Sequence, residues 1–301
     1  MRRLMTAGKR RKVVARVFPA RVRREREVRK IVTAREAGGD IERHARFRGR
    51  TGRRKRPGRS GVDIVPKGWF FAMRVNDRYV SFYYEPDHDR GSVTIEPERT
   101  ALLVVDLQRV FVTRPVYPDP TKEQLVHLER WKPFYDTIEQ IVIPNNRRIL
   151  KAFREKQMEV LFAKIQCHKK NGKDRSLDQK ATGFNELLLP IGSADAEIIP
   201  ELAPVGDEIV VTKTTDSAVT GSSLRLILHN MGIDTVVVTG VYTDQCVSGT
   251  VRSLADESFK VWLIEDACMA GTKEIQRHEL EVLNNIYCHV INTDELLAAI
   301  G

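Results

Sequence analysis

Short apolar runs rich in β-branched residues recur along the chain from about residue 100 onward. Each run is bounded by polar residues and is too short to cross a membrane as a helix, so we interpret the runs as buried strands. The predicted strands cover 101–108, 160–165, 208–213, 235–240, 260–266 and 288–292.

Between these runs, apolar residues recur at three- and four-residue spacing, as on one face of an α-helix. This pattern predicts helices over 143–157, 222–232, 244–257 and 273–286, and a last helix that ends at Leu297. Because strands and helices alternate, we expect a three-layer αβα fold: a doubly wound, mainly parallel six-stranded sheet with helices on both faces. This domain is predicted over 99–301.

The N-terminal part has a different composition. Residues 1–59 hold 23 Lys/Arg and 5 Asp/Glu, a charge of +18, so the remaining residues carry −8 of the chain's net +10. Few large apolar residues are available to offset chain entropy there, which predicts a basic, disordered extension over 1–61. Residues 62–98 are predicted to be an aromatic-rich segment that packs on the core, with short strands around an Asn76–Asp77 turn.

Three interpretations of the basic extension stay open. In the first, the extension has no catalytic role and reflects an over-long gene model, with Met73 as an internal start. In the second, the arginines of residues 1–59 tether the protein to nucleic acid. The third is an organelle transit peptide, which the arginines fit and the scarcity of serine does not.

The four cysteines form no CxxC pair and no zinc-ligand spacing with histidine. No signal peptide or long apolar run is present, so the sequence predicts a cytoplasmic protein without disulfides or membrane association. We predict no metal and no cofactor.

Three reactive side chains lie at predicted strand ends, where ligands bind in such sheets. Asp106 ends the first strand, Lys213 ends the third, and Cys246 follows the fourth at the start of a helix. A helix N-terminus and a nearby ammonium would lower the pKa of a thiol, and a carboxylate can carry its proton. Each residue also has a common structural role, as a helix cap, a solvated lysine or a core cysteine.

The stretches that contain these residues resemble the isochorismatase-like cysteine hydrolases. The matching segments are ALLVVDLQRVF, VVTKTTDSAVTGSSLRLILHNMGI and TVVVTGVYTDQCVSGTVRSLADESFKVWLIEDAC, within about residues 99–297. The resemblance implies that Asp106, Lys213 and Cys246 form a catalytic triad. It also implies a cis peptide between Val241 and Tyr242, which aims the amides of Tyr242 and Cys246 into an oxyanion hole.

The resemblance further nominates Gln108, Phe111, Thr215 and Tyr242 as substrate contacts, although Phe111 could be core and Gln108 a helix cap. His168 stands where nicotinamidases have a metal site, but the Asp-x-His pattern of that site is missing. Because Cys167 and His168 are adjacent on an extended segment, they should point to opposite faces.

The family resemblance implies cleavage of a C–N bond in a small polar amide or ureide through a thioester, with the ureidoacrylate and biuret hydrolases as the nearer branch. The alternatives are an isochorismatase-type or nicotinamidase-type hydrolase, and a nucleic-acid-binding protein that acts through its basic tail. The expected partners are a small-molecule substrate and further copies of the chain, because the family commonly forms dimers and tetramers.

The tether hypothesis predicts that the full chain binds DNA with strong salt dependence and that a chain shortened to residues 73–301 loses this binding. Titrating both proteins with a labelled duplex over a salt series measures the difference. Equally weak binding by both proteins would contradict the tether.

Overall fold

The computed structural model describes residues 72–74, 78–85, 92–180 and 188–301. Trp69–Gly301 form one compact unit, and the predicted extension lies outside the described residues. The strands are β1 (Ala72–Arg74), β2 (Ser92–Thr94), β3 (Thr100–Val105), β4 (Glu159–Ile165), β5 (Ile209–Lys213), β6 (Thr235–Val241), β7 (Lys260–Met269) and β8 (His289–Ile291). The α-helices are α1 (Arg109–Val112), α2 (Lys122–Thr137), α3 (Ile143–Glu155), α4 (Leu224–Asn230), α5 (Ser248–Asp256), α6 (Lys273–Leu283) and α7 (Thr293–Ile300).

Six strands form one sheet in the order β5-β4-β3-β6-β7-β8, and every neighbouring pair is parallel. The chain builds outward from β3 to β5, returns to β6 beside β3, and builds outward again to β8. This is the predicted doubly wound arrangement, and the strand order reverses between β3 and β6. Ligand sites in such sheets lie at the carboxyl ends of the strands beside this reversal.

Alternate residues of β3 enter two separate apolar cores, one on each face of the sheet. Leu102 and Val104 pack in the core that α2, α3 and α7 cover. Ala101, Leu103 and Val105 pack in the core that α4, α5 and α6 cover. Strand β3 is apolar from Ala101 to Val105 because both faces of the sheet are covered there, and the predicted three-layer architecture is confirmed.

Helix α2 has no counterpart among the predicted elements. Its apolar residues do not form a clear stripe, and Pro133 stands inside it. The helix instead begins with a capping box, in which the Thr121 side chain accepts from the Gln124 amide and the Gln124 side chain accepts from the Thr121 amide. Near its end, the side chains of Phe134 and Tyr135 are buried in the core. Of the described residues, no helix is both long and apolar enough to span a membrane.

The segment before β3 contacts the main domain through polar groups. Arg78 forms ion pairs with Glu265 and Glu295, each at 2.7 Å. The Asn284 side-chain amide donates to the Tyr79 carbonyl at 3.1 Å, and the Tyr79 ring packs against the core.

The strands of this segment differ from the expected hairpin. β1 pairs antiparallel with β2, well beyond the predicted turn, rather than with a strand next to it. Asn76 and Asp77 themselves lie outside the described residues. The predicted domain boundaries stay predictions.

The closest backbone approach in the sheet is at Gly240, opposite the end of β3. Gly240 has a φ of +122°, and a Cβ atom built there would lie 1.9 Å from the Val105 carbonyl oxygen. Only glycine fits this position without moving the backbone. The residues that follow Val105 and Gly240 are therefore held close to each other.

Replacing Gly240 with alanine should lower the free energy of unfolding by roughly 3 kcal/mol or more, since the added carbon overlaps backbone atoms that cannot rotate away. Gly232→Ala is the matched control, because Gly232 also has positive φ (+73°) but has open space around it. Its cost should stay near 1 kcal/mol. Urea unfolding of both variants measures the difference, and equal costs would contradict the close approach.

Candidate active site

Asp106 follows β3 directly and occupies a rare backbone conformation. Its φ is +51°, a left-handed value that aspartate tolerates better than most residues. Its amide donates to the Ala163 carbonyl of β4 at 2.9 Å, and the residue is 1% exposed. The carboxylate is thus held at the carboxyl end of the sheet, away from water.

Lys213 is the last residue of β5 and is fully buried, at 0% exposure. Its ammonium nitrogen lies 2.7 Å from Oδ2 of Asp106 and forms a buried ion pair. The same nitrogen donates to the Thr215 carbonyl oxygen at 3.1 Å. These contacts compensate the cost of removing both charges from water.

Cys246 lies on one π-helical turn, Thr243–Val247, that joins β6 to α5. The sequence predicted an ordinary helix from residue 244. The peptide bond between Val241 and Tyr242 just before this turn is cis, at the position that the family resemblance implies. The sulfur is 3.2 Å from the Lys213 ammonium, so one cation contacts both the carboxylate and the sulfur.

The pKa of each of the three groups is raised from its usual value. Burial raises the pKa of Asp106, and Lys213 only partly offsets it. Burial, followed by the Asp106 charge, raises the pKa of the Cys246 thiol well above its usual range. Burial would lower the pKa of Lys213, but the carboxylate and the sulfur outweigh it and raise that pKa.

The expectation of a thiol with a lowered pKa is therefore wrong for this structure. A helix N-terminus and one ammonium do not compensate the loss of hydration at Cys246, a residue that is 6% exposed. Burial and the neighbouring carboxylate raise the pKa of this thiol instead.

The sulfur faces a small cleft with a cavity volume of about 30 Å³, room for roughly two water-sized groups. Phe111 and Tyr242 form part of its wall, with ring centroids 5.9 Å apart in an edge-to-face arrangement. The lining residues are Asp106, Phe111, Ile165, Arg175, Gln179, Asp216, Val241, Tyr242, Gln245 and Cys246.

Gln108 and Thr215, the other two predicted substrate contacts, are not in this lining. The Gln108 amide nitrogen donates to the carbonyls of Ile165 and Ala196, and its oxygen accepts from the Ile165 amide. The side chain is fully buried and links β4 to the loop before β5. Thr215 contributes its carbonyl to Lys213.

Five cleft residues were not singled out from the sequence: Ile165, Arg175, Gln179, Asp216 and Gln245. Arg175 and Gln179 belong to a polar loop after β4 without periodicity, and nothing in such a pattern distinguishes a buried arginine from a solvated one. Asp216 follows Lys213 by only three positions, so its proximity to the triad could have drawn attention to it.

Cys167 and His168 point to opposite sides, as expected: Cys167 is fully buried and His168 is exposed. The backbone amide of His168 donates to Asp174 at 2.6 Å. In the part of the chain that the structure describes, no group of three or more His, Cys, Asp or Glu residues could hold a metal ion.

Gln108→Ala should lower the free energy of unfolding by roughly 1–3 kcal/mol for each buried carbonyl that loses its donor. The control is Gln245→Ala, because Gln245 is exposed in the cleft wall and its replacement should cost less than about 0.5 kcal/mol. Urea unfolding compares the two. If both variants unfold with the same free energy, the hydrogen bonds of Gln108 do not stabilise the fold.

The comparisons with known proteins agree with this fold. The uncharacterized isochorismatase family protein YrdC of Bacillus subtilis is 26% identical over 211 residues, covering 66% of this chain and 95% of that protein. Ureidoacrylate amidohydrolase RutB of Acinetobacter baylyi is 25% identical over 222 residues, covering 68% of this chain and 85% of that protein.

A solved structure of a cysteine hydrolase from Pseudomonas syringae superposes with a TM-score of 0.56 at 23% identity, over 68% of this chain and 94% of that one. At this identity the likeness supports the fold alone. The family model for the isochorismatase domain matches residues 100–295, which is most of the described chain. The chain therefore belongs to the isochorismatase family.

Proposed function

We propose that this protein is an amidohydrolase that cleaves a C–N bond in a small polar amide or ureide through a thioester on Cys246. One observation carries the proposal: the Lys213 ammonium lies 2.7 Å from the Asp106 carboxylate and 3.2 Å from the Cys246 sulfur, beside a cleft. A base, a cation and a nucleophile in mutual contact are the parts that nucleophilic acyl transfer requires.

In the first half-reaction, Asp106 accepts the thiol proton while the sulfur attacks the carbonyl carbon. The Lys213 ammonium contacts both Asp106 and Cys246, which keeps the carboxylate beside the sulfur, and the raised pKa of Asp106 makes it a better base. We assign the amides of Tyr242 and Cys246 as donors to the oxyanion. Asp106 then returns the proton to the nitrogen, which leaves as ammonia or an amine, and a thioester remains.

In the second half-reaction, a water molecule replaces the amine. Asp106 takes a proton from this water, the hydroxyl adds to the thioester carbonyl, and the carboxylic or carbamic acid leaves as the sulfur regains its proton. Lys213 stays protonated throughout, because its raised pKa keeps the ammonium charged beside Asp106 and the sulfur. Its role is to orient Asp106 and to balance charge in a site without bulk water.

The lining of the cleft supports a small polar substrate. The side chains of Arg175, Gln179, Asp216 and Gln245 offer donors and acceptors to a polar molecule. The similarity to a protein named ureidoacrylate amidohydrolase favours an amide or ureide over a vinyl ether. Product assays with isochorismate and with nicotinamide test the two other hydrolase types.

Cys246→Ala should lower turnover by at least roughly four orders of magnitude, because the covalent step is lost. Asp106→Asn should have an effect of similar size, because the residues act as one unit. The measurement is ammonia or amine release from a panel of primary amides and ureides. Circular dichroism and urea unfolding verify that each variant is folded.

Cys167→Ala is the matched control, since it removes another buried thiol that does not line the cleft. It should retain most of the activity. Turnover by Cys246→Ala at the rate of this control would refute the thioester mechanism, and near-normal turnover by Asp106→Asn would refute the role of Asp106 as the base.

A further inference from the structure

A second carboxylate contacts the reactive sulfur and has no part in the mechanism above. Oδ1 of Asp216 lies 3.6 Å from the sulfur of Cys246, within the range of a hydrogen bond from a thiol. The carboxylate of Asp106 is the other acidic neighbour of this sulfur, since the Lys213 ammonium contacts both groups. A thiol has one hydrogen, so it can donate to only one of the two carboxylates at a time.

Asp216 is exposed, and a chain of hydrogen bonds from two buried side chains holds it in place. The Gln179 amide nitrogen donates to Oδ1 of Asp216 at 2.5 Å, and an Arg175 nitrogen donates to the Gln179 oxygen at 3.0 Å. Arg175 and Gln179 are each 6% exposed. The loop after β4 therefore fixes the position of an acid that belongs to the loop after β5.

The orientation of the Gln179 amide in this chain is determined by its neighbours. A guanidinium can only donate, so the Gln179 oxygen has to face Arg175. The amide nitrogen then has to face Asp216, and the carboxylate accepts its hydrogen. Such a directed chain is not needed for packing, and it ends at the one sulfur that faces the cleft.

Four charged groups face or approach the sulfur: Asp106, Lys213 and Asp216 directly, and Arg175 through Gln179. Lys213 favours the thiolate, whereas both carboxylates oppose it. Asp216 thus acts against ionisation of the sulfur while the cleft is empty. When the sulfur has lost its hydrogen, Oδ1 needs another donor, and the group that enters the cleft is the substrate.

We propose that Asp216 is a positioning residue: it holds the Cys246 thiol hydrogen in the empty cleft and exchanges it for an N–H of the bound substrate. The exchange frees the thiol hydrogen to turn to Asp106, so the nucleophile is activated only when an N–H donor is present. The substrate part of this inference rests on the proposed function. It assigns the site to amides or ureides that keep an N–H beside the reacting carbonyl.

The first test needs no substrate. Cys246 of the full chain is alkylated with iodoacetamide over a pH series, and the modified residue is mapped by mass spectrometry. Below the pKa of a thiol, its alkylation rate follows the thiolate fraction and rises about tenfold per pH unit. Asp216→Asn removes one negative charge beside the sulfur, which lowers the thiol pKa and moves the rate profile to lower pH.

At neutral pH the variant should react roughly threefold to tenfold faster than the wild type, a range set by a partly screened charge next to the sulfur. Above both pKa values the two rates should converge. Asp207→Asn is the matched control, because it makes the same change at an exposed residue outside the cleft lining. A profile for Asp216→Asn equal to that of this control would overturn the proposal.

The second test asks whether Asp216 also accepts an N–H from the substrate, apart from its contact with the thiol. With an amide or ureide that the wild type hydrolyses, Asp216→Asn should raise KM several-fold and change kcat less, since a neutral amide oxygen replaces the charged carboxylate as acceptor of the substrate N–H. An unchanged KM overturns the exchange with the substrate. If the wild type hydrolyses no such compound but the alkylation profile still shifts, then the proposed function has failed and the contact of Asp216 with the thiol stands.

Discussion

The buried ion pair between Lys213 and Asp106 is the interaction around which the site is organised. Neither residue is more than 1% exposed, so each would be strongly destabilising without the other. Because the ammonium also contacts the sulfur and the Thr215 carbonyl, a single cation fixes groups from three strand ends. In other proteins a buried ion pair can often be replaced by apolar residues without loss of stability, so stability alone does not account for this pair.

The sheet determines where this pair can form. Its strand order reverses between β3 and β6, and the chain after each of these strands turns into the cleft. Two unusual backbone conformations occur side by side there: the left-handed Asp106 and the positive φ of Gly240. Both positions require a residue type that tolerates this geometry, and both are held by parallel strands that are buried on each face.

The electrostatics around Cys246 differ from those of an exposed, ionised cysteine. Burial and two carboxylates favour the thiol, and only Lys213 favours the thiolate. A raised thiol pKa makes the position of a carboxylate that can accept the proton important in our proposed mechanism. In our proposals Asp106 has that role during the reaction, and Asp216 holds the same hydrogen before it.

The sequence alone predicted the fold class and the three side chains that the structure brings together, Asp106, Lys213 and Cys246. Apolar runs of β-branched residues that alternate with amphipathic segments permit few other architectures, and polar residues at strand ends stand out against such runs. Helix α2 escaped prediction because its cap and its last turns, rather than a regular apolar stripe, stabilise it.

Other features were decided by the tertiary structure. The high pKa of the thiol depends on burial and on charges brought from distant parts of the chain, and neither is encoded in local spacing. Gln108 and Asp216 show the same limit. A glutamine can contact a substrate, but the side-chain amide of Gln108 is already hydrogen-bonded to two backbone carbonyls. Asp216 belongs to a loop of ordinary composition, so the sequence does not distinguish it. Its place beside the sulfur depends on a hydrogen bond from Gln179, which is 37 positions away.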